Sequence, residues 1–248
     1  MSAEASDGRE RAFPFYVVCD VSQSMWKEGV YKPSGDAGRL AGRTPYDALC
    51  EAVPDLLWKL QLDATACDAA HISVVTFAES PRTVVPLARP DTVNHIDSLP
   101  KGSQTDYAKV LAHLARQVDQ DCRELEREYA LKRPTVFFLT DGDPYVGSAR
   151  QPDDAWLPYR AQLVGLKWAP QVAAFGFGNV RPATLVRLAT PAMGDGRQSR
   201  PMAFRSTAQV SVSDLLEALI DTLFISISAS VSEDKLDLRV PEGMQWLA

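Results

Sequence analysis

Three short stretches of the chain are apolar without helical periodicity: residues 13–21 ("FPFYVVCDV"), 135–140 ("TVFFLT") and 170–179 ("PQVAAFGFGN"). Apolar, β-favouring runs of this kind predict strands covered on both faces, as in a parallel sheet flanked by helices. Between them the spacing changes. Residues 44–63 ("TPYDALCEAVPDLLWKLQLD") carry apolar positions at helical intervals, with Thr44 placed as an N-cap and Pro45 at the first helical position. Pro54 within that pattern predicts a kink or a division. Tyr107, Val110, Leu111, Leu114, Val118, Cys122 and Leu125 follow the 3.6 period, which predicts a long amphipathic helix over 105–129.

The runs at 70–80 and 82–90 meet at Pro81 and predict an antiparallel hairpin at one sheet edge, where Pro86 is tolerated. Shorter helices are expected over 157–166 and 181–190, a loop or short edge strand over 201–207, and a last helix over 212–230. Residues 26–45 have the Gly, Pro and mixed charge of an exposed loop excursion. Strand and helix alternate throughout. The expected fold is therefore α/β: a doubly wound, mostly parallel central sheet with one antiparallel edge strand and helices on both faces. The chain divides into a flexible N-terminus (1–12), one domain (13–228) and a C-terminal extension (229–248). That extension reads as a tail, an added strand or a docking peptide, and its "KLDLRV" alternates well enough for a strand.

Composition narrows the function classes. The 248 residues are 46% hydrophobic and 23% charged, ordinary usage for a soluble globular chain. A net charge of −6 without any basic run argues against a nucleic-acid partner. The apolar segments "TVFFLT" and "LFISIS" fall well short of the roughly 20 residues that cross a bilayer, so no membrane span is expected. Residues 1–12 lack the apolar centre of a secretory signal, and a cytoplasmic location is the expectation. The four cysteines and three histidines have no ligand spacing and read as reduced thiols and structural or surface imidazoles. "FGFGN" lacks the third glycine of a dinucleotide motif.

The candidate chemistry lies where strands end. Asp20 closes the first buried run and is followed by Ser22 and Ser24; Asp141 closes the second; Thr105 opens the long helix. In a doubly wound sheet ligands bind at the carboxyl ends of the strands. Carboxylate and hydroxyl oxygens are hard donors suited to Mg2+, Mn2+ or Ca2+, not to zinc or copper. Simpler readings exist for each group: an Asx or ST turn at Asp20, a helix N-cap at Thr105, a turn at Asp143. Trp26 reads equally as an interface anchor or a loop staple.

These residues carry a resemblance. "DVSQS" (20–24) is similar to the DxSxS motif of von Willebrand factor A domains, Thr105 in "GSQTD" to their second loop, and "TDGDP" (140–144) to their third. The order of elements over 13–225 is similar too. The resemblance implies a metal-ion-dependent adhesion site (MIDAS) formed by Asp20, Ser22, Ser24, Thr105 and Asp141, whose Mg2+, or Mn2+ or Ca2+, is completed by an Asp or Glu from a protein partner. It implies a binding module, not an enzyme. The chain departs from the pattern at Gln23, where a glycine is usual, and in the length of the 26–45 excursion. Within the family it looks most like bacterial cytosolic, tellurium-resistance-associated (TerY-like) proteins, thought to act beside stress-response partners. The alternative is a Mg2+-dependent, aspartyl-phosphatase-like enzyme with Asp20 as the attacking group, and a third reading is a scaffold with a vestigial site. The sequence leaves the oligomeric state open.

Overall fold

The apolar runs become the inner strands of one sheet. In a computed structural model, which describes residues 8–27, 44–192, 200–207 and 212–247, the chain begins with β1 (Arg11–Asp20), the single turn α1 (Gln23–Trp26), α2 (Pro45–Leu62) and α3 (Ala64–Ala69). It continues through β2 (Ala70–Phe77), β3 (Pro81–Ala88), α4 (Tyr107–Leu125), β4 (Ala130–Leu131) and β5 (Thr135–Thr140). The small hairpin β6 (Tyr145–Val146) and β7 (Ala149–Arg150) precedes α5 (Asp153–Val164), β8 (Gln171–Gly176) and α6 (Pro182–Leu188). The chain closes with β9 (Ala203–Ser206), α7 (Val212–Glu233) and β10 (Met244–Trp246).

The strand order is β10-β9-β8-β5-β1-β2-β3, with β4 beside the start of β1. From β9 to β2 the neighbours are parallel. The edge strands β3 and β10 run antiparallel to theirs. The expected α/β architecture is the observed one, and the C-terminal segment adds a second antiparallel edge. From β1 the chain moves outward to β2 and later returns to place β5 on the other side, so the topological switch point lies between β1 and β5. Cys19 pairs with Leu139 in register, which sets Asp20 beside Thr140.

Alternation along β1 divides the core into two layers. Phe15, Val17 and Cys19 pack with Leu49 and Leu56 of α2 and Leu219 and Ile220 of α7. Tyr16 and Val18 pack on the opposite face with Val110 and Leu114 of α4 and Trp156 of α5. Each Å2 of apolar surface these layers remove from water stabilises the sheet by roughly 25 cal/mol.

Several local expectations shift. Thr44 and Asp47 form a reciprocal capping box at the start of α2, but Pro54 does not divide the helix, which runs on to Leu62. The proline lies on the exposed side, where the carbonyl it leaves without a donor can be hydrated. The helix expected at 157–166 starts four residues earlier, and Trp156 is one of its buried residues. The strand added by the C-terminal segment is "MQW" (244–246), not "KLDLRV". Residues 236–239 instead run back along α7, where the hydroxyls of Ser230 and Ser226 accept from Asp237 N at 2.9 Å and Arg239 N at 3.0 Å. Against the expectation that every apolar segment is too short to span a bilayer, α7 meets that length and composition. Over Asp214–Glu233 it is long and apolar enough, though half of that window is buried, with Leu215, Leu219, Leu223 and Ile227 in the core. Most of the 26–45 excursion lies outside the described residues.

Candidate metal centre

Three loops meet at the carboxyl ends of β1 and β5. The first follows Asp20, which is 1% exposed. Ser22 N donates to Asp20 Oδ1 at 2.9 Å, and the Ser22 and Ser24 hydroxyls lie 3.3 Å apart. Ser22 occupies the N-cap of α1 yet makes no side-chain cap hydrogen bond, so its hydroxyl stays with that of Ser24. Gln23, the departure from the family glycine, is an exposed first residue of that turn and has no positive φ. The position asks for no glycine.

The second loop is clamped to the first. Gly102 N donates to Val21 O at 3.0 Å, and the Trp26 indole N–H donates to Gly102 O at 3.0 Å. Trp26 is therefore a staple. The Lys101 ammonium lies 4.6 Å from the Tyr46 ring centroid and 5.6 Å from that of Trp26. A Cβ on Gly102 would stand 2.2 Å from Ala78 Cβ, so this approach requires glycine. Asp106, not Thr105, is the N-cap of α4 and accepts from Lys109 N at 3.1 Å. Thr105, buried on the same loop, exchanges two backbone hydrogen bonds with Tyr145, at 3.0 and 2.9 Å. That bridge joins the second loop to the third.

The third loop carries Thr140, Asp141 and Gly142. Asp141 is 1% exposed, and its carbonyl accepts from Asn179 N at 3.1 Å. The Thr140 hydroxyl donates to Asp20 Oδ2 at 2.8 Å. Asp143 turns away: its Oδ1 accepts from Arg181 N at 3.2 Å and from the Thr184 hydroxyl at 2.6 Å, and Arg181 and Arg150 pair with its Oδ2. It fastens the start of α6 and is no part of the cleft.

The structure thus gathers Asp20, Ser22, Ser24 and Asp141 at the rim of β1 and β5, and sets Thr105 on the loop that touches both of its neighbours. Burial, followed by the charge of Asp141, pushes the Asp20 carboxyl up to about 8 against the hydrogen bonds from Ser22 and Thr140. No ion pair to Asp20 forms among the described residues. Nor do those residues contain a cluster of three or more His, Cys, Asp or Glu side chains suited to a metal. A centre here is built from two carboxylates and hydroxyls, a donor set that fits a hard divalent cation. The Gly102 approach, the Thr105–Tyr145 bridge and the Thr140 bond to Asp20 were not among the sequence expectations.

An open α/β sheet with an oxygen-donor cleft at its switch point defines the class of protein. Residues 15–143, just over half of the chain, match the family model of the von Willebrand factor type A domain, and the chain belongs to that family. No curated protein matches it. Among solved structures it is similar to proximal thread matrix protein 1 from the mussel byssus, at 16% identity and a TM-score of 0.56, covering 89% of this chain and 49% of that one. Another structure of the mussel protein has a zinc-occupied MIDAS motif. The pilus adhesin SpaC of Lactobacillus rhamnosus GG has a TM-score of 0.61 at 13% identity over 90% of this chain and 31% of its own. The minor pilin PilB of Streptococcus sanguinis has one of 0.54 at 10% identity over 92% and 64%. The chain spans about half the length of the mussel protein, and likeness at these identities shows the fold alone.

Proposed function

We propose that the chain is a metal-dependent protein-binding module, in which Asp20, Ser22, Ser24, Thr105 and Asp141 hold a divalent cation and an Asp or Glu of a protein partner completes the shell. The observation that carries this reading is the pair of buried carboxylates at the switch point, each raising the cost of the other's charge. A core gains nothing from two such acids, because ionising them out of water is expensive unless a positive charge is shared between them. The three hydroxyl donors add no negative charge. A bound dication supplies residual positive charge and an open coordination position, and the chain's part is to hold the donors in place.

Mg2+ suits this all-oxygen set best, with Mn2+ and Ca2+ as chemical relatives. The zinc in the mussel MIDAS supports a divalent ion at this place in the fold. Tyr145 and Val146, 48% and 40% exposed on the hairpin paired to Thr105, offer a partner an apolar wall beside the ion. The phosphoryl-transfer alternative gains no comparable support, since Ser22 stands where such enzymes carry a second acid. Membership of a cytoplasmic stress-response system of tellurium-resistance type is a finer reading, supported by the sequence resemblance. Affinity purification in Mg2+, with wild type and Asp20→Ala as baits, tests the function. Partners retained by wild type, released by EDTA and absent from Asp20→Ala are expected; partners indifferent to both changes would refute the metal-dependent reading.

A further inference from the structure

We infer that Thr140 and Tyr107 form a positioning relay that sets the spacing of the three loops and makes the site discriminate small divalent cations from larger ones. This rests on the metal-binding reading above.

Four residues hydrogen-bond to one another beneath the cleft. The Thr140 hydroxyl lies 2.8 Å from Asp20 Oδ2 and 3.0 Å from Gly142 O, and Gly142 N donates to it at 3.3 Å. The Tyr107 hydroxyl lies 3.0 Å from Gly142 O and 3.2 Å from Thr140 Oγ1. Each hydroxyl has one proton, while the Gly142 carbonyl and an ionised Asp20 can only accept. One arrangement serves every group: Thr140 donates to Asp20, Tyr107 donates to Gly142 O, and Gly142 N donates to Thr140. Thr140 and Tyr107 are both fully buried. The Tyr107 ring is held edge-on by Phe77, Phe138 and Trp156, so its hydroxyl cannot swing aside.

The sequence positions give the relay its consequence. Tyr107 follows Thr105 by two residues, Thr140 directly precedes Asp141, and Asp20 is itself a proposed ligand. Each of the three ligand loops therefore contributes to one hydrogen-bonded chain, and that chain fixes the loop spacing. Asp20 Oδ1 is held by Ser22 N and Oδ2 by Thr140, so its carboxylate cannot rotate to follow a larger ion. Mg2+ needs near-octahedral donors at about 2.0–2.1 Å, whereas Ca2+ takes about 6–8 oxygens at about 2.3–2.6 Å in flexible shells. The five proposed donors and a partner's carboxylate would suit a small six-coordinate ion, and a rigid frame would resist widening for a larger one.

Mg2+ and Ca2+ affinities measured by calorimetry on wild type, Thr140→Val, Thr140→Ser and Tyr107→Phe test this, with urea unfolding as the control for folding. Thr140→Val is expected to lose about tenfold in Mg2+ affinity, the worth of one hydrogen bond to a charged group, and distinctly less for Ca2+, so that the preference narrows. Thr140→Ser, which keeps the hydroxyl, should retain the wild-type preference. Tyr107→Phe, which leaves the Thr140–Asp20 bond in place, should narrow it by about two- to threefold and serves as the second probe if Thr140→Val folds poorly. An unchanged ratio in both Thr140→Val and Tyr107→Phe, or equal losses for the two ions, would overturn the relay while leaving the site. Wild type binding neither ion would overturn both.

Discussion

Replacing Asp20 by asparagine should make the ion-free protein more stable while destroying its metal site. In the fold, burial and the neighbouring Asp141 hold the Asp20 carboxyl near 8, against an ordinary 3.8. Between those values the unfolded chain releases the proton and the folded chain keeps it. A group raised in this way favours the fold fully below pH 4 and loses that contribution as pH climbs towards 8. Each unit is worth about 1.4 kcal/mol, so the loss between pH 4 and pH 7 reaches about 4 kcal/mol. The substituted asparagine would carry no such charge, and its amide can donate to Thr140 Oγ1 while the Thr140 hydroxyl turns to Gly142 O, already 3.0 Å away. Urea unfolding in EDTA, at intervals from pH 5 to pH 8, should therefore show wild-type stability falling with pH and that of Asp20→Asn falling far less. Added Mg2+ should stabilise wild type only, by mass action on the folded state. Parallel pH curves for the two proteins would refute the reasoning.

Other consequences follow from the way the loops are fastened. Thr105→Ala should cost less than about 0.5 kcal/mol in unfolding free energy, because Asp106 caps α4 and the Tyr145 bridge uses only backbone, yet it should lower Mg2+ affinity in calorimetry by about tenfold or more. Asp143→Ala should do the reverse: chemical unfolding will report a loss of about 2–3 kcal/mol as Thr184 and Arg181 lose a buried acceptor, with the Mg2+ affinity nearly unchanged. Gly102→Ala has no room for its methyl against Ala78 and should reduce both stability and Mg2+ affinity, visible together as a lower melting temperature and a weaker titration. If Gly102→Ala bound Mg2+ like wild type, the clamp between the first two loops would not govern the site.

The main frame was legible because burial on two faces leaves an unmistakable pattern. "YVVC", "TVFFLT" and "QVAAFG" have no polar alternation, and in the fold both faces of β1, β5 and β8 are covered. The acids that end β1 and β5 were legible for the same reason, since a charge directly after a buried run marks a strand's carboxyl end. Distant contacts were not. Thr105 and Asp106 are both competent caps by residue type, and only the fold shows that the Asp106 side chain takes Lys109 N, while the hairpin that carries Tyr145 is too short to leave a periodic trace. Thr140 reads as the last residue of a strand, and only the neighbouring strand shows that its hydroxyl is spent on Asp20. "KLDLRV" alternates as a strand does, because Leu236 and Leu238 pack towards the core while the intervening backbone bonds to serines of α7. An extended segment on a helix and one on a sheet share that pattern.

Crystals soaked in Mn2+ and measured at the manganese edge would test the central claim most directly. An anomalous peak within bonding distance of Asp20, Ser22, Ser24, Thr105 and Asp141, with at least one coordination position left to water or a neighbouring carboxylate, is the predicted result. A cleft without a peak at saturating Mn2+, or one in which Asp20 and Asp141 share a proton and no ion, would contradict it.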